Sequence, residues 1–343
     1  MRRLLNTLYV TSQGAYLAKD GETVSVRLER ETKLRVPVHT LDGIVCFGIV
    51  GCSPQLMGLC CERGVTVSFL SEHGRYFGRV QGSVSGNVLL RREQYRRADD
   101  EEHAADIARA VVIGKIANSR SVLMRAAREH ASEDCTQALS RAARHLAGLL
   151  SNLKKPAPLD TVRGWEGDAA HVYFGVFNCL IVAQNEDFMF TRRSRRPPLD
   201  SINALLSFLY SLLLHDVVSA CESCGLDPAV GYLHKDRPGR LGLALDLMEE
   251  LRPILADRVA LSLVNRQQVR AKGFIAGEGG AITMDESTRR EVLLAYQSRK
   301  QDELQHPFLN EKLPVGLLPH VQSQLLARSL RGDLDAYPAF HWR

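Results

Sequence analysis

The hydrophobic rhythm of this chain changes near Arg97, and that change limits what it can fold into. Before it, apolar residues come in short runs broken by glycine. Gly21 to Glu29 alternates polar and apolar, the period of a half-buried strand, and Lys19-Asp20-Gly21 supplies hairpin turn chemistry. Leu34–Val38, Gly43–Phe47, Val65–Leu70 and Tyr76–Val80 are further strand candidates, with a turn at Glu72-His73-Gly74 and a short helix over Pro54 to Glu62. After Arg97 the acids Asp99 to Glu102 suit a helix start. Apolar residues then recur at helical spacing through Ile107, Val111, Ile116 and Leu123, and over Leu139–Leu153, Ala170–Ala183, Ile202–Ala220 and Leu243–Leu255. Ala276 to Ala281 reads as a turn, with Thr283 or Asp285 capping the next helix, and an irregular tail follows Gly332. The expected class is α+β: a small β-rich domain over 1–95, then a larger all-α domain over 96–343.

The 343 residues allow two domains with a substantial core. Tyr173 to Ala183 is the strongest apolar run apparent, too short to cross a bilayer and interrupted by Asn178. The start, MRRLLNTLYV, lacks a sustained apolar segment, so no membrane association and a cytoplasmic location are expected. Eight cysteines in a chain this long do not suggest a disulfide framework, and Cys221-Glu222-Ser223-Cys224 has no second pair to complete a zinc site, so these read as thiols. The net charge is only +5, but about four in five of the 44 basic residues are arginine. Guanidinium forks match phosphate oxygens, although a GC-rich coding sequence accounts for the bias equally well. Of the local clusters, Arg192, Arg193, Arg195 and Arg196 precede Pro197-Pro198 and should lie on a loop.

Three segments gather groups able to bind a hard cation. Glu166, in Arg163-Gly164-Trp165-Glu166-Gly167, shares an inward helix face with Ala170 and Tyr173, where a carboxylate needs a partner. His234 ends an apolar stretch and enters a basic turn bearing Arg237 and Arg240. Asp246, Glu249 and Glu250 open the next helix at spacings that allow a shared face. Singly, each has an ordinary explanation, as a helix-start acid or a structural histidine. Together they match what phosphodiester chemistry needs, a divalent ion on oxygen and nitrogen ligands with places left for water and phosphate. Such a mixed set suits Mg²⁺ or Mn²⁺.

Several strings in order then carry a resemblance. Besides Arg163 to Gly167, they are Asp200-Ser201-Ile202-Asn203-Ala204-Leu205-Leu206-Ser207 with Tyr210, and Gly231-Tyr232-Leu233-His234 through Arg237-Pro238-Gly239-Arg240 to Glu250. Over its whole length the chain resembles CRISPR-associated protein one, the integrase of spacer acquisition, with the branch of subtype I-C as the expected one. The resemblance implies metal ligands at Glu166, His234 and Glu249, with Asp246 beside them. It also implies a homodimer formed through the β domain, a complex with CRISPR-associated protein two, and double-stranded DNA as substrate. On this reading the 3′-hydroxyl ends of a short duplex are joined to a CRISPR array. Arg192, Arg193, Arg195, Arg196, Arg237 and Arg240 would hold DNA backbone, while Asn203 and Tyr210 order the site, stack near DNA or pack within their helix. The competing classes are a non-catalytic DNA-binding scaffold, a branched-DNA nuclease of repair, and a helical metal-storage or redox protein. The last lacks the paired Glu-x-x-His strings it would need.

Overall fold

A computed structural model describes residues 6–29, 31–82, 88–129 and 132–342. The chain divides into two compact units, Met1–Gly86 and Asn87–Arg343.

In the first unit the strands are β1 (Thr7–Val10), β2 (Tyr16–Asp20), β3 (Thr23–Leu28), β4 (Glu31–Pro37), β5 (Gly43–Phe47) and β6 (Gly51–Cys52). The helix α1 (Pro54–Arg63) and the strands β7 (Thr66–Leu70) and β8 (Tyr76–Val80) complete it. Two four-stranded sheets form, in the orders β1-β5-β7-β8 and β4-β3-β2-β6. In the first sheet β5 runs parallel to both its neighbours. All five of its residues are buried, which is why Gly43–Phe47 reads as a continuous apolar run rather than an alternating one. Gly21, at φ +60°, makes the two-residue turn between β2 and β3. Ser53 caps α1 by accepting from the Leu56 amide, and Gly64 ends it in the left-handed region. The core between the sheets and α1 includes Leu17, Val24, Ile44, Leu56 and Val67.

The second unit holds α2 (Val88–Asp99), α3 (Glu101–Glu129), α4 (Glu133–Asn152), α5 (Leu159–Gly175), α6 (Ser201–Ser223), α7 (Gly242–Leu251) and α8 (Asp257–Asn265). A ribbon of β9 (Phe274–Ala276) and β10 (Ile282–Met284) follows, then α9 (Glu286–Gln301). A second ribbon of β11 (Glu303–Gln305) and β12 (Lys312–Pro314) leads into α10 (Leu318–Leu330). This unit is therefore mostly rather than wholly helical; three-residue strands are too short to leave a period in the sequence. The expected boundary after residue 95 would cut α2. That helix belongs with the second unit because Gln94, fully buried, holds the Asp227 and Val230 carbonyls and accepts from the Asp227 amide.

Three other expectations need correction. By length and composition α6 could cross a membrane, a property not expected of any segment here, but 72% of its apolar stretch is buried within the protein, as suits a core helix. The helix expected over Leu243–Leu255 gives way at Arg252 to a π turn over Arg252–Ala256 carrying Pro253, which has no amide hydrogen to donate. Cys135 and Cys179 form a disulfide between the start of α4 and a 3₁₀ turn at Phe177–Leu180; at 44 residues apart, only the fold reveals the pairing. Cys221 and Cys224 remain thiols, as expected, and form no disulfide. Residues 333–342 form no helix or strand, yet Phe340 is wholly buried and Asn118 binds both the Phe340 carbonyl and the Trp342 amide.

Candidate metal centre

Four segments of the second unit converge on one small region. On α5 the buried stripe runs Val162, Ala169 and Tyr173, and Glu166 falls on it at helical spacing, as its sequence position predicts. Gly164 and Gly167 have open space where a side chain would begin. On α3, Lys115 continues the buried stripe of Ala108 and Val111 and is itself largely buried. Asp246 and Glu249 lie on α7, both buried, and His234 sits on the loop that precedes it.

That loop is held by two close approaches. A Cβ added to Gly231 would lie 2.6 Å from the Gly242 carbonyl carbon, and one added to Gly242 would lie 2.7 Å from the Ala229 oxygen. With no side chain at either position the loop crosses the start of α7 in direct contact. The Asp246 carboxylate then accepts three successive amides: Tyr232 at 2.6 Å, Leu233 at 3.0 Å and His234 at 3.0 Å. Arg163 secures the same loop from α5, donating to the Leu233 carbonyl at 2.7 Å.

The fourth contact of Asp246 is to His234 Nδ1, at 2.7 Å. A proton held there leaves Nε2 with its lone pair free. Nε2 stands 4.0 Å from Glu249 Oε1. Lys115 Nζ bonds Glu166 Oε1 and lies 2.7 Å from Glu249 Oε2, so one ammonium touches both glutamates. Arg252 donates to Glu249 Oε1 at 2.5 Å. Burial alone would raise the Glu249 carboxyl, but Arg252, Lys115 and His234 outweigh it and hold the group well below the usual carboxylate range. Glu250 faces elsewhere, toward the tail: it accepts from the Tyr337 hydroxyl, the Phe340 amide and Gln322.

Among the described residues no three His, Cys, Asp or Glu side chains already surround a single point as ligands. The donor set nonetheless fits a hard divalent cation, because the buried Glu249 carboxylate is kept charged and its Oε2 meets a single positive group, the Lys115 ammonium at 2.7 Å, where a cation's charge would serve equally. Two carboxylates and an imidazole whose far nitrogen is fixed by a third carboxylate are ordinary Mg²⁺ or Mn²⁺ chemistry.

The basic residues divide. Arg192, Arg195, Arg196 and Arg237 are exposed, and Arg240 is partly buried with one bond to the Lys235 carbonyl. Arg193, expected to hold DNA backbone, is turned inward, and Asn203 and Tyr210, for which packing was one of the open readings, are packed inside the helical unit with it. Asn203 is fully buried, donating to the Arg192 carbonyl and accepting from Arg193 and the Ser194 amide. Arg193 bonds Asn203 and Ser207, and Tyr210 donates to Asp257 Oδ1 at 2.7 Å. Lys115 and Arg252 were not singled out by their sequence positions, although a lysine on the stripe Ala108, Val111, Asn118 was a usable signal.

Asp257, buried on α8, also accepts from Tyr173 at 3.1 Å. Burial pushes its carboxyl up to about 6 against both tyrosine hydrogen bonds and the Arg193 and Arg252 guanidiniums. A pKa raised on folding gives stability that is complete below the unfolded value, near 3.9, and lost as pH climbs through about 6. Asp257→Asn stays neutral throughout, so its melting temperature relative to wild type should rise between pH 4.5 and pH 7.5. Melts of both proteins across that range test this, and a relative fall toward pH 7.5 would refute it.

The sequence model for CRISPR associated protein Cas1 matches residues 8–298. The chain belongs to the Cas1 family. Over 343 residues, 100% of both chains, it is 53% identical to CRISPR-associated endonuclease Cas1 1 of Chlorobaculum tepidum. Over 347 residues, again 100% of both, it is 52% identical to CRISPR-associated endonuclease Cas1 2 of Rhodospirillum rubrum. Among solved structures, a Cas1 protein from Thermotoga maritima matches with a TM-score of 0.79 at 24% identity, covering 95% of this chain and 97% of that one. A casposase bound to integration product matches at 0.83 and 21% identity, covering 98% and 94%. At these identities the structural likeness is one of fold, and it extends the Cas1 fold across almost the whole chain.

Proposed function

We propose that this Cas1-family chain is a divalent-metal-dependent DNA endonuclease and integrase that joins the 3′-hydroxyl ends of short duplexes to a CRISPR array. One observation carries the reading: the Lys115 ammonium joins Glu166 Oε1 to Glu249 Oε2, and His234 Nε2, its ring oriented by Asp246, stands 4.0 Å from Glu249 Oε1, so three separate segments bring two carboxylates and an imidazole to one place. Glu166, His234 and Glu249 would hold Mg²⁺ or Mn²⁺, which supplies Lewis-acid stabilisation of the phosphoryl oxygens and activation of the attacking oxygen. The exposed Arg192, Arg195, Arg196 and Arg237 take phosphates of the DNA backbone, so binding weakens with salt and varies little with sequence. The protein acts in the cytoplasm as a homodimer through its β-rich unit, together with a Cas2 partner. Support for that partner is the fold shared with the Cas6-RT-Cas1–Cas2 complex, of which this chain covers 36% of the matched chain.

The test uses a supercoiled plasmid bearing a repeat array, a labelled short duplex, the small partner and Mn²⁺. Glu166→Ala, His234→Ala and Glu249→Ala should each lower joining by at least about a hundredfold. Retention of metal-free duplex binding shows that the variants are folded. Joining at the wild-type rate by all three would leave the chain a non-catalytic DNA-binding scaffold.

A further inference from the structure

Arg193, in the exposed arginine loop, is itself turned inward. Its guanidinium donates to Asn203 Oδ1 at 2.6 Å and to Ser207 Oγ at 3.3 Å, and lies 5.2 Å from the centroid of the Tyr210 ring. The Arg252 guanidinium lies 5.0 Å from the same centroid and donates to Glu249 Oε1. Tyr210 is anchored at its hydroxyl by Asp257, which Tyr173 also holds. Two guanidiniums therefore share one ring: one belongs to the loop bearing Arg192, Arg195 and Arg196, the other grips a carboxylate of the candidate metal centre.

We propose that Tyr210 and Arg193 are positioning residues for Glu249, with the Tyr210 ring seating Arg252 against the carboxylate and Arg193 tying that ring to the arginine loop. The proposal rests on Glu249 being a metal ligand. Its physical basis is the attraction of a guanidinium to an aromatic face, strongest where water is excluded, together with a planar fork that fixes direction as well as charge. If loop and carboxylate are joined in this way, a polyanion on the loop and a metal on Glu249 bind cooperatively, and each raises the affinity of the other by the same factor.

The experiment measures Mn²⁺ affinity of the full chain by the electron paramagnetic resonance of free Mn²⁺, with and without a short DNA duplex. Tyr210→Phe keeps the ring and should hold Mn²⁺ within about threefold of wild type, whereas Tyr210→Leu should weaken it by about tenfold or more. Arg193→Gln should weaken Mn²⁺ severalfold, bind metal-free duplex as wild type does, and lose the tightening of Mn²⁺ by duplex. Arg195→Gln should do the reverse, weakening duplex and leaving Mn²⁺ unchanged when DNA is absent. Matched near-ultraviolet circular dichroism for Tyr210→Phe and Tyr210→Leu excludes unfolding as the cause. Arg193→Gln with wild-type Mn²⁺ affinity and weakened duplex binding would overturn the proposal, making Arg193 a plain phosphate contact. Wild-type protein that binds no Mn²⁺ would instead defeat the metal-centre reading on which it rests.

Discussion

Asp246→Asn should lower the melting temperature of the helical unit and weaken Mn²⁺ binding by roughly 10- to 100-fold. The reason is that the Asp246 carboxylate faces only donors: three consecutive amides and the His234 ring nitrogen. An asparagine carries one oxygen and one NH₂. If the NH₂ faces the Tyr232 and Leu233 amides, donors oppose donors in a buried place, at about 1–3 kcal/mol for each group left unsatisfied. Turned the other way, it presents hydrogens to His234 Nδ1. The imidazole must then carry its proton on Nε2, the nitrogen needed for a metal. Asp246→Ala leaves all these donors without an acceptor and should cost about 3 kcal/mol or more, a fall in melting temperature of roughly 6–12 °C. Thermal melts and Mn²⁺ titration of both variants check this. An Asp246→Asn protein with wild-type values for both quantities would mean that Asp246 does not orient His234.

The second large effect should come from Lys115→Met. Its ammonium contacts Glu166 and Glu249, and Glu249 is only 2% exposed. Removing one partner of a buried ion pair costs about 3–5 kcal/mol, because a charge remains without compensation. Arg252 still holds Glu249, and Glu166 is partly exposed to water, so the lower end of that range applies. On the proposed ligand set a divalent cation supplies the missing charge. Mn²⁺ should therefore raise the melting temperature of Lys115→Met by more than it raises that of wild type. Equal metal-free stability and equal Mn²⁺ shifts in the two proteins would contradict the electrostatic role assigned to Lys115.

How far this site was legible in the sequence differs residue by residue. Gly43–Phe47 and Tyr76–Val80 are strands with the expected bounds, because short apolar runs bracketed by turn residues have few other outcomes. Glu166 could be placed on an inward face from helical spacing alone. His234 and Glu249 could not be related to it by spacing, since the intervening loop has no period; their combined chemistry suggested the grouping and the family strings specified it. Lys115 was legible in principle as a lone charge within a buried stripe. Arg193 was expected to face DNA because a run of arginines beside Pro-Pro looks the same whether its members point outward or inward. The Cys135–Cys179 pairing and the three-residue ribbons depend on tertiary approach and leave no local trace.

The crossing at Gly231 and Gly242 has a consequence for anyone hoping to transplant this centre into another scaffold. Copying the candidate ligand side chains would not be enough. The imidazole is aimed by a backbone path that exists only where two stretches of the backbone touch without side chains between them, so a graft must import that bare contact along with the candidate ligands. The least substitutable positions in such a design would be two that carry no functional group at all.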